Sequence, residues 1–326
     1  MISIVGGAGF LGTYLAKRLD ERGVDFEILD IHNSKCFPNK SKIVNLNDFE
    51  DLKAALDGDI VVHLAAIHGD NKASSSEYSK VNIGGTINLS RVCSLKRIKK
   101  IIFMSSVAVY GVIQKETFED GKINPDSDYG KSKLNAEVEL RKWQNLSKNN
   151  SLIIVRSAPL FGPGNRGEIF LLFNQIVKKR FLMIGEGVNK KSISYVKNCA
   201  AFLEHCIDKD IDYDVYNYSD RPNYNMNDLV KLTRKKHFNK NNVGVRVPYL
   251  FALAMSYCAD LISMILRRPL LISVTRLNKF CSFSEFGSSK DEVNKFISPV
   301  TLNDAISQTL SYEFSGVGNP VIAKKD

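Results

Sequence analysis

A run of glycines placed directly after a short apolar segment constrains this chain more than any other feature. Ile2–Val5 reads as a strand and ends at Gly6-Gly7-Ala8-Gly9-Phe10-Leu11-Gly12, where Gly6, Gly9 and Gly12 recur at every third position. Leu11, Leu15 and Leu19 then fall at i, i+4 and i+8, so Phe10–Arg22 is predicted to be a helix with one apolar face. A strand, a glycine turn and a helix in that order open a βαβ unit. The turn lets backbone approach a diphosphate, and the helix start offers N–H donors and the positive end of a dipole. A second apolar run, Phe26–Leu29, is closed by Asp30. A carboxylate at the end of that strand accepts from both hydroxyls of an adenosine ribose and repels a 2′-phosphate, which points to NAD rather than NADP.

Further strands are predicted at Asp59–Leu64, Lys100–Met104 and Ser151–Val155, with helices around Lys80–Leu95 and over Asp128–Leu146. Alternating strands and helices imply right-handed crossovers and a parallel sheet covered on both faces. The expected fold class is α/β, a doubly wound parallel sheet of the Rossmann type with a smaller C-terminal substrate-binding lobe. Residues 1–160 are expected to bind the dinucleotide. Residues 161–326, with shorter elements such as Phe170–Val177 and Asp228–Arg234 separated by Gly- and Asn-bearing loops, are expected to be mostly substrate lobe, interleaved with the first part.

Composition narrows the partners. Apolar residues at 44% and charged residues at 25% exclude disordered and fibrous classes. Lys and Arg outnumber Asp and Glu by 45 to 35, a net charge of +10, which favours a phosphorylated substrate, an acidic membrane surface or nucleic acid. The plain alternative is a set of solvated lysine-rich faces. Basic and aromatic residues do not interleave, so nucleic acid is not expected. The six cysteines show no CxxC spacing and no zinc pattern, so no metal is expected, and they read as reduced thiols of a cytoplasmic protein. The first residues lack a basic segment and a small-residue cleavage site and are not expected to be a secretory leader. His63 reads as part of a buried strand, and the tail after Phe314 is expected to fray.

Tyr129 and Lys133 lie four residues apart on a predicted helix and share a face. A lysine ammonium beside a phenol favours the phenolate and brings its pKa down from ~10, which makes a general base for a hydroxyl proton. The Lys100–Met104 strand runs into Ser105-Ser106-Val107-Ala108-Val109-Tyr110-Gly111. A serine at the carboxyl end of a parallel strand faces the crevice where ligands bind, and Ser106 is placed to hydrogen-bond an oxygen whose charge changes.

These segments together, with His63-Leu64-Ala65-Ala66 and Tyr129-Gly-Lys-Ser-Lys133, resemble the extended short-chain dehydrogenase/reductase family of NAD-dependent sugar epimerases and dehydratases. The resemblance implies Ser106, Tyr129 and Lys133 as the catalytic set. It implies cofactor contacts from Gly6, Gly9, Phe10, Leu11, Gly12, Asp30, Asn45, Leu46, Leu64, Ala65, Ala66, Tyr129, Lys133 and Pro159. It also implies a homodimer. Longer stretches, including 161–167, 191–196, 215–218 and the 247–281 region, resemble the bacterial 4-epimerases of N-acetylglucosaminyl-diphospho-undecaprenol. What that implies is interconversion of GlcNAc and GalNAc on undecaprenyl diphosphate, through a transient 4-keto sugar and tightly bound NAD, at the inner face of the bacterial inner membrane in O-antigen and lipopolysaccharide assembly. The alternatives are a UDP-N-acetylhexosamine or UDP-glucose 4-epimerase and a nucleotide-sugar 4-ketoreductase. Besides Ser106, Arg166 and Lys191 are the implied substrate contacts. Lys191 stands where the family places a phosphate-binding Arg, Asn45 where it places an acidic residue and Asn198 where it places an Asp. Ser157-Ala158-Pro159 follows Arg156, without the Asn that accompanies nucleotide-linked substrates.

Val247–Leu266 has the length of a bilayer span but carries Asp260 within it. Ser256, Asp260, Ser263 and Arg267 form one narrow polar stripe on an otherwise apolar helix. Three readings follow: a helix lying in the plane of a membrane surface with Arg246, Arg267 and Arg268 at its ends, a helix buried in the lobe or a dimer contact, and a true span. The mid-helix carboxylate favours the first over the last.

Overall fold

The computed structural model describes residues 1–68, 73–266, 268 and 273–314. The first half follows the alternation read from the sequence. Its strands are β1 (Ile2–Val5), β2 (Phe26–Asp30), β3 (Ser41–Ile43), β4 (Ile60–His63), β5 (Lys100–Ser106) and β6 (Ser151–Ser157). Its helices are α1 (Phe10–Glu21), α2 (Phe49–Ala55), α3 (Ser75–Tyr78), α4 (Gly85–Leu95) and α5 (Asp128–Asn145). The stretch expected to be one helix around Lys80–Leu95 begins instead as a π-type turn, Ser79–Gly84, ahead of α4.

The second half adds β7 (Leu160–Phe161), α6 (Glu168–Val177), β8 (Met183–Ile184), β9 (Lys190–Lys191), β10 (Ser194–Tyr195), α7 (Val196–Ile207), β11 (Tyr213–Tyr218), β12 (Tyr224–Asn225), α8 (Met226–Phe238), β13 (Arg246–Val247), α9 (Tyr249–Leu266), α10 (Val274–Cys281), α11 (Asp291–Asn294) and α12 (Leu302–Phe314). Of these, β11 returns to the main sheet, pairing in parallel with β6 from Tyr213–Leu152 to Tyr218–Ser157.

The seven strands stand in the order β11-β6-β5-β4-β1-β2-β3, all parallel where paired. The order reverses between β1 and β4, and the carboxyl ends of those two strands open the crevice in which such sheets bind ligands. The strands read as continuous apolar runs because both faces are covered. Ile4, Ile28, Val62, Ile102 and Ile153 pack with Leu11, Leu15 and Leu19 of α1 and with α7 on one face. Val5, Leu29, Val61, Ile101 and Ile154 pack with Leu52, Leu89, Val92, Leu140 and Trp143 on the other. A separate small core under the second half joins Ile176 of α6, Phe181 and Met183 beside β8, Met226 and Val230 of α8, and Phe280 of α10.

Among the described residues no helix is long and apolar enough to cross a membrane. The reading of α9 as a buried helix does not hold either: Leu250 is 76% exposed, Met264 70% and Phe251 61%. The polar stripe is what turns inward. Ser256 is buried and donates to the Ala252 carbonyl, while Asp260 accepts from the Val274 amide at the start of α10. Arg267 and the tail after Phe314 lie outside the described residues.

Candidate active site

The glycine turn is shaped by close backbone contacts. Gly6 has φ +83°, and a Cβ there would stand 2.5 Å from the Ala65 amide nitrogen, so the turn after β1 lies directly against the segment after β4. At Gly12 a Cβ would meet Gly7 Cα at 2.5 Å, which seats α1 on the turn. Above Gly9 such an atom would meet only the Gly6 carbonyl, at 3.2 Å. Gly9 is the N-cap of α1 and no side chain caps it, so the helix start faces open space with its amides available. Asp30 closes the lip of this crevice. Its carboxylate accepts from Ala8 N at 3.0 Å and from His32 N at 3.1 Å, which fixes it beside the turn with further lone pairs to offer. A diphosphate on the open helix start and a ribose diol on Asp30 match the donors and acceptors present, so the residues fit NAD. Leu64 and Ala65 both donate to the Val5 carbonyl, holding Leu64-Ala65-Ala66 along the same crevice. Leu46 is buried, whereas Asn45 and Pro159 are exposed at its rim.

Ser106 ends β5, and its Oγ accepts from Ala108 N at 3.2 Å, turning the chain into a short 3-10 turn. α5 packs tightly on that turn. A Cβ at Gly130 would come within 2.5 Å of the Ala108 carbonyl, which accounts for glycine next to Tyr129. Ser127 caps α5 by accepting from the Gly130 amide, so the helix starts just before Tyr129. Lys133 is buried one turn further on, with Nζ 4.5 Å from the centre of the Phe103 ring on β5. Burial lowers its pKa to about 7, and the Glu137 carboxylate works against that fall. His63 is buried nearby and is neutral: burial, and then Lys133, lower its pKa to about 3, and its Nε2 meets Thr86 Oγ1 at 3.0 Å.

Two supports escaped the sequence reading. Asn82, in the π-type turn, accepts from the Ile67 amide and donates to the Ile67 carbonyl and to Ser132 Oγ at 2.9 Å. Ser132 in turn donates to the Tyr129 carbonyl. Glu137 continues the 129–133 stripe by one more turn, a spacing that could have marked it. It is held by Arg156 through Nε at 3.0 Å and Nη2 at 2.7 Å, and by Ser105 Oγ. Burial opposes the Arg156 charge, but Glu137 and Tyr110 raise its pKa overall.

The two implied diphosphate cations have different partners. Arg166 pairs with Glu313 of α12 at 2.8 Å and lies over the Phe170 ring, so its charge is already balanced. Lys191 Nζ donates to the Ser282 and Lys279 carbonyls at 2.8 and 3.2 Å, at the C-terminal end of α10. Burial lowers its pKa to about 8 against the pull of Glu168. No group of His, Cys, Asp and Glu suited to a metal occurs among the described residues.

The reversed sheet order, the uncapped helix start and the Asp30 carboxylate define a dinucleotide-binding α/β protein. Residues 2–218 match the NAD dependent epimerase/dehydratase family. Over its full length the chain is 38% identical to the N-acetyl-alpha-D-glucosaminyl-diphospho-ditrans,octacis-undecaprenol 4-epimerase of Escherichia coli O157:H7, covering 97% of that protein. Its fold is similar to that of UDP-glucose 4-epimerase from Thermus thermophilus solved with NAD, with TM-score 0.73, 18% identity, and 97% and 99% of the two chains covered. It is similar also to UDP-N-acetylglucosamine 4-epimerase from Bacillus cereus, with TM-score 0.71, 20% identity, and 96% and 99% covered. The chain belongs to the NAD-dependent epimerase/dehydratase family, and its cofactor is NAD.

Proposed function

We propose that this chain is a sugar 4-epimerase that interconverts N-acetylglucosamine and N-acetylgalactosamine on undecaprenyl diphosphate, at the cytoplasmic surface of a bacterial membrane, as a homodimer. Whole-chain likeness to the Escherichia coli enzyme supports the sugar and the carrier. The observation that carries the reading is α9, which turns its polar stripe inward and leaves Leu250, Phe251, Leu261 and Met264 to solvent. A polyprenyl chain does not leave the bilayer, so an enzyme acting on one must meet that surface. An apolar helix lying along it is a physical means of doing so.

On this reading residues 1–160 hold the cofactor, and the elements around α6, α8, α9 and α10 form the substrate lobe. When bound, NAD supplies a reversible acceptor for the hydrogen at C4 of the sugar. Tyr129, as the phenolate, takes the proton of the C4 hydroxyl and gives it back at the end. Ser106 Oγ hydrogen-bonds the same oxygen as it becomes a ketone. A phenolate beside Lys133 raises the lysine's pKa from about 7, so the ammonium is held while the base is charged, and the Glu137–Arg156 pair behind it fixes the helix turn that carries both residues. The 4-keto sugar turns about its diphosphate link and presents its other face, so no net oxidation results. Lys191, on the lobe side, is the cation offered to that diphosphate.

The test is a parallel assay of purified protein with GlcNAc on undecaprenyl diphosphate and on UDP, the product sugars being identified after hydrolysis. Faster conversion of the lipid-linked sugar to GalNAc is expected. Far faster turnover of UDP-GlcNAc would replace this reading with a UDP-sugar epimerase.

A further inference from the structure

The net charge of +10 is not spread over the molecule. Residues 169–185 and 229–259 together contain nine Lys and Arg and no Asp or Glu, so nine of the ten excess positive charges lie in these two segments. The fold brings the segments together. β8 pairs with β13, Arg246 opposite Met183 and Val247 opposite Ile184. α6 and α8 share the small core of Ile176, Met226 and Val230, and Lys179 Nζ sits 5.5 Å from the Phe238 ring, which places the two helix ends side by side.

Lys178, Lys179 and Arg180 at the end of α6, and Lys235, Lys236 and Lys240 at the end of α8, are all exposed. None of the six forms an ion pair with a carboxylate among the described residues. Cations at helix C-termini complement the dipole, but one or two suffice for that. Six unpaired ones within one small region repel each other, and an anionic partner relieves that repulsion. Leu182 and Val245, 50% and 65% exposed, stand at the start of the β8–β13 ribbon next to these cations. The far end of the ribbon leads into the apolar face of α9, and Phe280 of α10 roots that helix pair in the same core.

From this placement we infer that the ends of α6 and α8 form a phosphate-recognising surface for anionic phospholipid headgroups, separate from the apolar contact of α9. The inference rests on the membrane reading above and adds the chemistry of the lipid to it. The six cations meet headgroup phosphates while Leu182 and Val245 reach between them, and α9 lies in the acyl boundary. Each cation near such a surface adds to attraction that falls within a Debye length. Selectivity for anionic lipid then belongs to α6 and α8, and affinity for any bilayer to α9.

The experiment compares full-length protein on vesicles of phosphatidylcholine alone and of phosphatidylcholine with phosphatidylglycerol, at low and high salt. One variant carries Lys178→Gln, Lys179→Gln, Arg180→Gln, Lys235→Gln and Lys236→Gln; a second carries Leu250→Glu and Leu261→Glu. The first is expected to bind phosphatidylglycerol vesicles at least ~10-fold more weakly than wild type and to lose the salt dependence, with binding to phosphatidylcholine unchanged. The second is expected to lose binding to both. Wild-type binding of phosphatidylglycerol vesicles by the first variant overturns the inference and leaves the membrane reading intact. Absence of binding by the wild type to either vesicle overturns both. Unaltered NAD binding by each variant, read by quenching of protein fluorescence, shows that the fold is retained.

Discussion

α1 and α9 are both amphipathic helices, and they face opposite ways. α1 buries Leu11, Leu15 and Leu19 against the sheet and turns Lys17 and Arg18 outward, where Arg18 pairs with Glu204 of α7. α9 buries Ser256, ties Asp260 to the α10 amide and offers its leucines and aromatics to solvent. Water alone would drive α9 to the arrangement of α1, because each exposed apolar side chain forgoes its transfer energy. The difference separates the parts of the molecule that burial within one chain explains from the helix that such burial does not explain.

Four predictions break or sharpen that contrast. Tyr129→Phe, on the sheet side, should lower kcat by ~10²- to 10⁴-fold whatever carries the sugar, with NAD still bound. Near-normal turnover in that variant removes Tyr129 from the chemistry. Next in size, Leu15→Ala, fully buried in α1, should cost about 2–5 kcal/mol in urea unfolding, whereas Leu261→Ala on α9 should change stability by less than about 0.5 kcal/mol. Equal costs at the two sites would mean that α9 is packed as α1 is. Asp30→Ala should weaken NAD about tenfold and narrow its advantage over NADP, measured by titration calorimetry. Equal affinities already in the wild type would refute the ribose role.

The last effect is a slope with pH. The Lys133 pKa of about 7 lies below the ~10.4 of an exposed lysine. Between those values the unfolded chain holds the proton that the fold releases, so the stability of the NAD-free chain rises with pH across that window. Lys133→Met should remove that rise. Parallel stability profiles for wild type and variant between about pH 7 and pH 10 would show that burial does not depress the lysine.

What was legible in the sequence is what is local. The glycine turn, β1, β2, β5, β6 and α5 carry their signals within a dozen residues, and the structure places them where the spacing put them. β3 escaped because it is a three-residue edge strand with polar Ser41 and Lys42 and an exposed Ile43. β11 was visible only as a motif, since Asp214 and Asn217 interrupt its apolar pattern. Asn217 is buried on the Tyr110 hydroxyl and the Thr117 and Gly287 carbonyls, partners far along the chain. The polar stripe of α9 was readable, but its direction was not: periodicity fixes which residues share a face, and only the neighbours decide which face is covered. In the same way Arg166 gave no sign of Glu313, 147 residues away.

The short helix α10 is held at both ends by side chains from elsewhere. Asp260 takes its first amide, and Lys191 takes the carbonyls at its last turn. Eight residues of helix span ~12 Å and resist stretching through their internal hydrogen bonds. α10 is therefore a tie rod between the exposed helix and the Lys191 strand. The position of α10 thus answers to two side chains at once, Asp260 of the exposed helix and Lys191 of the strand.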